Sequence, residues 1–252
     1  ARLAGLEELE QAFRAGAKLF LFSNPNNPTG VIYGPELLKE LVEVARENKL
    51  LIFSDEIYDR LLLGDAVHVS TASLCPDLPV ITFNGLSKSH VVCGFRCGWM
   101  CVSGPDELTK DYKAALTALA AMRLCGNALT QLVIPAALED SAYTKQMMSP
   151  GGRLYEQSKA ACDALEKIPG LTFVRNQAAF YVFPKLDIEQ FGITDDRKFA
   201  LDLLHEKHIL LVAGSGFDWP EPDHFRLVLL PEAQELKKAI EDIGDFLSTY
   251  HQ

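Results

Sequence analysis

The sequence predicts an α/β chain, a mainly parallel sheet followed by a smaller α+β module. Two observations carry this. Runs that are apolar on both faces, at 17–23, 49–54 and 79–84, are separated by longer connections that include a helical pattern, and buried parallel strands read this way. Beyond a Ser-Pro-Gly-Gly-Arg stretch at 149–153, short strand patterns interleave with helices instead.

Taken in order, residues 1–16 carry an amphipathic helix pattern, and A-K-L-F-L-F-S (17–23) reads as a buried strand that ends in a Pro/Asn/Gly turn. Pro35 opens a helix with Leu37, Leu38, Leu41, Val42 and Ala45 on one face and Asn48 at its end. K-L-L-I-F-S (49–54) is the next strand, with Asp55 at its carboxyl end. P-V-I-T-F-N (79–84) and F-R-C-G-W-M-C-V (95–102) are two more. Helices follow at 106–124 and 127–142, and the expected domain boundary falls between 148 and 149. The second module reads as helix 152–167, strands near 171–175 and 179–183, helix 195–207, strands 209–213 and 224–230, and helix 231–249.

Composition narrows the functional classes. Lys and Arg total 24 against 34 Asp and Glu, a net charge of -10. A field of that sign repels phosphate backbones, which argues against a nucleic-acid partner. No apolar stretch is long enough to span a membrane, and no secretory leader pattern opens the chain. The six cysteines show neither redox C-x-x-C nor zinc spacing. No metal is expected, and the reading is a reducing, cytoplasmic setting.

Lys88 is the most informative residue. It closes F-N-G-L-S-K (83–88), and Arg96 follows in G-F-R-C-G-W (94–99). Upstream stand N-P-N-N-P-T-G (24–30) and S-D-E-I-Y (54–58). Asn27, Asp55, Tyr58 and Lys88 all fall at or beyond the carboxyl ends of strands, where ligands of open α/β sheets bind. The set offers an amine for a Schiff base, a carboxylate for a pyridine nitrogen, donors for a phenolic oxygen and a cation for a phosphate. That combination suits pyridoxal 5'-phosphate.

In this order and spacing the motifs resemble the class I/II aminotransferases of the fold-type I pyridoxal-phosphate enzymes. M-R-L-C-G-N (122–127) and the tail from P-G-G-R-L-Y-E-Q (150–157) resemble their alanine aminotransferase branch. The resemblance covers essentially the whole chain. It implies that residues 1–148 belong to a three-layer, cofactor-binding large domain and 149–252 to a small domain. Lys88 then matches the Schiff-base lysine and proton shuttle, and Asp55 the partner of the pyridine nitrogen. Asn27 and Tyr58 match donors to the ring oxygen, Ser87 and Arg96 phosphate contacts, and Arg226 the group that binds the substrate carboxylate, with Asn27 as a second substrate-binding residue. Glu56 reads as structural. Many relatives carry serine where this chain has Gly85, a position at which a backbone N–H could replace the hydroxyl. The segment holding Tyr181 reads mainly as packing, with substrate contact as the alternative, the loop 213–217 as a turn that could border the pocket, and His68, His90 and His224 as surface or strand-end residues.

The implied activity is transfer of an amino group from alanine, or a similar amino acid, to 2-oxoglutarate, by a homodimer in the full-length protein. A carbon–sulfur β-lyase of the same fold and the sensing domain of a transcription regulator are the alternatives. The opening at Ala1 reads as a start part-way through a longer protein. The family's glycine-containing phosphate loop, ring-stacking aromatic and partner-subunit residue would then lie upstream.

Overall fold

The structure, a computed structural model, describes residues 11–252. Residues 11–14 are helical, and the rest of the helix expected from residue 1 lies outside the described residues. The chain divides into two compact units. The first comprises residues up to Asn26, Ile32–Leu62 and Ala66–Lys145; the second comprises Asn27–Val31, Leu63–Asp65 and Gln146–Gln252. A division by sequence position alone misses the two short excursions into the second unit.

The first unit is built on a sheet of order β1-β2-β3-β4, formed by β1 (Leu19–Ser23), β2 (Leu51–Asp55), β3 (Val80–Gly85) and β4 (Gly98–Ser103). β1, β2 and β3 run parallel, and β4 is antiparallel to β3. Helix α1 (Pro35–Glu47) forms the crossover between β1 and β2. Pro35 lacks an N–H that the first helical turn would leave unpaired in any case. Leu38, Leu41, Val42 and Ala45 make a buried stripe at helical spacing. Asn48 ends the helix, its side-chain amide donating to the Val44 carbonyl at 2.8 Å. The stripe packs with Phe22, Leu50, Ile52, Leu78 and Val80 in one apolar core.

Two expected elements differ. The strand expected from residue 95 starts at Gly98, because Cys93–Phe95 is a 3₁₀ turn and Arg96 takes the left-handed conformation (φ 53°). The single helix expected over 127–142 is broken into α4 (Ala128–Gln131), α5 (Ile134–Glu139) and the start of α6 (Ala142–Met148). Pro135 has no N–H for a helix interior and sits instead in the first turn of α5. Asp140 is extended and takes the Ala142 N–H on its side chain at 2.9 Å. Ahead of these, α2 (Leu86–Ser89) follows β3 directly, and α3 (Asp106–Arg123) follows β4.

The second unit is α+β. Helix α7 (Arg153–Leu165) packs against the long C-terminal helix α10 (Ala233–Thr249), which buries Leu236, Ile240, Ile243 and Leu247. Its strands are shorter than their apolar patterns suggested. β5 (Leu171–Thr172) pairs antiparallel with β7 (Lys185–Leu186). β6 (Tyr181–Val182) and β8 (Val212–Ala213) flank β9 (Phe225–Val228), both antiparallel to it. Short α8 (Ile188–Phe191) and α9 (Asp196–Lys207) complete the unit. Phe199 of α9 packs against Phe225, Phe246 and Tyr250.

Candidate active site

In the first unit, the pairing of β2 with β3 brings Asp55 and Lys88 to the same end of the sheet. Asp55 is the last residue of β2 and stands opposite Phe83 in register. Lys88 lies in the one-turn helix that begins where β3 ends. The two charges interact: burial pushes the Asp55 carboxyl above its usual range, the Ile57 N–H opposes this, and so does the Lys88 ammonium. Ile57 N donates to Oδ1 at 3.2 Å.

The turn after Asp55 places Glu56 and Tyr58 inward, both 3% exposed. Glu56 accepts from Ser54 Oγ (2.9 Å), Ser70 Oγ (3.1 Å) and the Thr71 N–H (3.0 Å). It therefore fastens the strand end to the 3₁₀ turn Thr71–Leu74. His68 stands 3.7 Å from the same carboxylate and is buried, not at the surface. His90 contacts Ser89 Oγ (2.8 Å) and the Ala137 carbonyl (2.7 Å).

Gly85 answers a question that the sequence raised. A Cβ there would lie 2.9 Å from the Cys97 carbonyl oxygen and 3.1 Å from Gly98 Cα, so the close pairing of β3 and β4 leaves no room for a serine. Its N–H already donates to Asn84 Oδ1 at 2.7 Å. Burial pushes the nearby Asp59 carboxyl upward, opposed chiefly by Asn84. Ser87 is half-buried beside Lys88. Arg96 is exposed and turns Nη1 back onto the Cys93 carbonyl at 2.8 Å.

The second unit holds the other two residues singled out above. Arg226 lies in β9 between buried Phe225 and Leu227. Its Nη1 donates to Asn27 Oδ1 at 3.1 Å. Its Cζ stands 4.8 Å from the Tyr181 ring centroid and 4.9 Å from that of Phe217. Tyr181 and Phe217 thus do more than pack or turn the chain. The loop holding Asn27 is fixed by Gly30, whose carbonyl accepts from the N–H groups of Gln177 (2.8 Å) and Ala178 (3.0 Å).

Next to Arg226, His224 is 8% exposed and Asp223 5% exposed, so His224 is no surface residue either. Burial works against ionised Asp223, but hydrogen bonds from His224 and Trp219 hold its carboxyl below the usual range. Burial pushes the His224 imidazole below its usual range, outweighing the hydrogen bond to Asp223 and its charge.

The donor set fits pyridoxal phosphate. An amine and a partly desolvated carboxylate sit at neighbouring strand ends, the chemistry that an aldehyde and a protonated pyridine nitrogen need. In the second unit, a guanidinium flanked by aromatic rings and bonded to an amide oxygen suits a carboxylate.

These features are those of an aminotransferase, and the chain belongs to the class I and II aminotransferase family, whose profile matches residues 2–243. It is similar to the glutamate-pyruvate aminotransferase AlaA of Haemophilus influenzae, 47% identical over 98% of this chain and 61% of that protein. The alanine aminotransferase of Mycobacterium tuberculosis is 44% identical over 98% of this chain and 58% of that protein. A crystal structure of an Escherichia coli aminotransferase superposes with a TM-score of 0.93 at 46% identity, covering 98% of this chain and 61% of that one. The chain therefore spans about 60% of the length of the relatives it matches. No described helix is long and apolar enough to cross a membrane.

Proposed function

We propose that the protein is a pyridoxal-phosphate-dependent aminotransferase that moves the amino group of alanine, or a similar amino acid, to 2-oxoglutarate. The observation that carries the reading is the electrostatically coupled Lys88–Asp55 pair at adjacent strand ends, in a chain of this family. The printed names of the relatives supply the substrate class. Neither a β-lyase nor a sensing domain is favoured by those names.

Bound pyridoxal phosphate would supply an electron sink for the substrate's α-carbon. The chain's own groups do the rest. Lys88 would attach the cofactor through its amine and, once displaced by the amino acid, would be the base that takes the substrate's α-proton and holds it for return. Asp55 keeps a proton on the pyridine nitrogen, which its negative charge stabilises. Tyr58 and Asn27 donate to the ring oxygen, Ser87 and Arg96 hold the phosphate, and Arg226 with Asn27 orients the substrate carboxylate through charge-assisted hydrogen bonds. Two half-reactions sharing one form of the enzyme give ping-pong kinetics. Homodimeric assembly and a reducing, cytoplasmic setting belong to the same proposal.

The test is steady-state turnover by the full-length protein. Pyruvate should form from alanine only when 2-oxoglutarate is present, with parallel-line kinetics. Pyruvate and ammonia from cystathionine without an oxo acid would establish the lyase instead.

A further inference from the structure

We propose that Phe217 and Tyr181 are positioning residues for Arg226, and that they leave its Nη edge as the docking surface for the substrate carboxylate. This rests on the reading of Arg226 as the carboxylate-binding group.

Three observations bear on how the guanidinium is presented. Its Cζ stands 4.8 Å and 4.9 Å from the two ring centroids, within the range at which a ring quadrupole attracts a cation. Nη1 is tied to Asn27 Oδ1 at 3.1 Å. Nε is buried and has no hydrogen-bond partner among the described residues. A carboxylate arriving from solvent cannot reach a buried Nε, so the side-on fork through Nε and Nη2 is closed. The Nη edge is what remains: Nη1 keeps a second proton besides the one given to Asn27, and Nη2 carries two, enough donors for the two carboxylate oxygens.

Phe217 is itself held in place, as a positioning residue must be. It ends the 3₁₀ turn Gly214–Phe217. Ser215 ties that turn to α9 through its N–H (2.7 Å) and hydroxyl (2.8 Å), both donated to the buried Asp196 carboxylate. A Cβ at Gly214 would lie 2.8 Å from the His224 carbonyl, so only glycine lets the turn lie this close to β9. The Phe217 ring meets Phe183 edge-on at 6.0 Å, and Phe183 stacks on His224. The anchor therefore runs from Asp196 through Ser215 to the Phe217 ring and on to Arg226. A guanidinium fixed in this way loses less rotamer freedom when substrate binds.

The experiment uses the full-length protein loaded with pyridoxal phosphate and compares Phe217→Leu, Phe217→Tyr and Arg226→Gln. Phe217→Leu should raise KM for amino acid and oxo acid by about three- to thirtyfold, the worth of one cation–π contact. It should leave kcat within about twofold and cofactor retention unchanged. Calorimetric titration with propionate, a carboxylate that cannot react, should show the same loss of affinity, and Phe217→Tyr should restore it. Arg226→Gln should weaken propionate more than Phe217→Leu does. If Arg226→Gln weakens it and Phe217→Leu does not, the positioning role is overturned and the function stands. If Arg226→Gln changes nothing, the assignment of Arg226 falls, and this proposal with it. Loss of kcat and cofactor together in Phe217→Leu, unrescued by tyrosine, would show general damage and overturn the proposal.

Discussion

Gly30→Ala is the substitution whose cost the structure defines most closely. Gly30 has φ +68°, and a Cβ there would lie 2.5 Å from Asn176 Cβ, 2.6 Å from the Tyr181 carbonyl oxygen and 3.2 Å from that of Ala178. Left-handed backbone costs an L-residue roughly 1–2 kcal/mol. Forcing a carbon into backbone that is already packed adds roughly 1–3 kcal/mol. Alanine recovers about 0.4–1 kcal/mol by narrowing the unfolded ensemble, so the net loss is about 1–5 kcal/mol. The strain falls on the two hydrogen bonds from Gln177 and Ala178 to Gly30 O. Three residues upstream, Asn27 should lose its register with Arg226, and KM for carboxylate substrates should rise. The chain has two tryptophans. In a Trp99→Phe background, Trp219 alone reports urea unfolding of the second unit. A shift of the midpoint equivalent to less than about 0.5 kcal/mol would refute the reasoning, since it would mean that the loop yields without strain.

Two further predictions concern pH. Burial raises the Asp55 pKa above 3.8 in the folded protein, so the folded state holds that proton more tightly than the unfolded one. Stability then falls as pH rises through this window, and the cost persists at neutral pH. Cofactor-free Asp55→Asn should melt higher than the parent at pH 7, with the gain vanishing below about pH 4, while kcat of the loaded enzyme collapses; a lower melting temperature at pH 7 would contradict the burial cost. At the alkaline end, burial and then the Asp77 charge raise the Cys75 thiol to about 11, and burial and then the hydrogen bond to Asp202 raise the Tyr250 phenol to about 12. The unfolded state releases these protons from 9.0 and 10.0 upward, so stability should decline from about pH 9 to pH 12. Cys75→Ala with Tyr250→Phe should flatten that decline in thermal melts.

The sequence made the parallel strands legible because buried strands are apolar on both faces, and Leu19–Ser23, Leu51–Asp55 and Val80–Gly85 lie where those runs predicted. The ends of elements were harder to read. Phe95 and Arg96 look like strand residues, yet a 3₁₀ turn and a left-handed residue occupy those positions, and no local pattern announces either. Asp55 and Lys88 could be placed at one end of the sheet because both follow strands directly. The partnership of Asn27 with Arg226, 199 residues apart, had no local signature and came only through family resemblance. Phe217 was hidden by its context, since A-G-S-G-F reads as a turn and nothing in it points to a guanidinium. The burial of His68 and His224 went unread because polar residues near strand ends are usually exposed. Here the partners that allow burial, Glu56 for His68 and Trp219 for the Asp223–His224 pair, come from other turns.

The account stands or falls on the amine of Lys88. Full-length protein reconstituted with pyridoxal phosphate should absorb in the visible, lose that band on reduction with borohydride, and yield one modified peptide with the label on Lys88. Lys88→Ala should show no label and no transamination. A label on another lysine, or turnover by Lys88→Ala, would contradict the account directly.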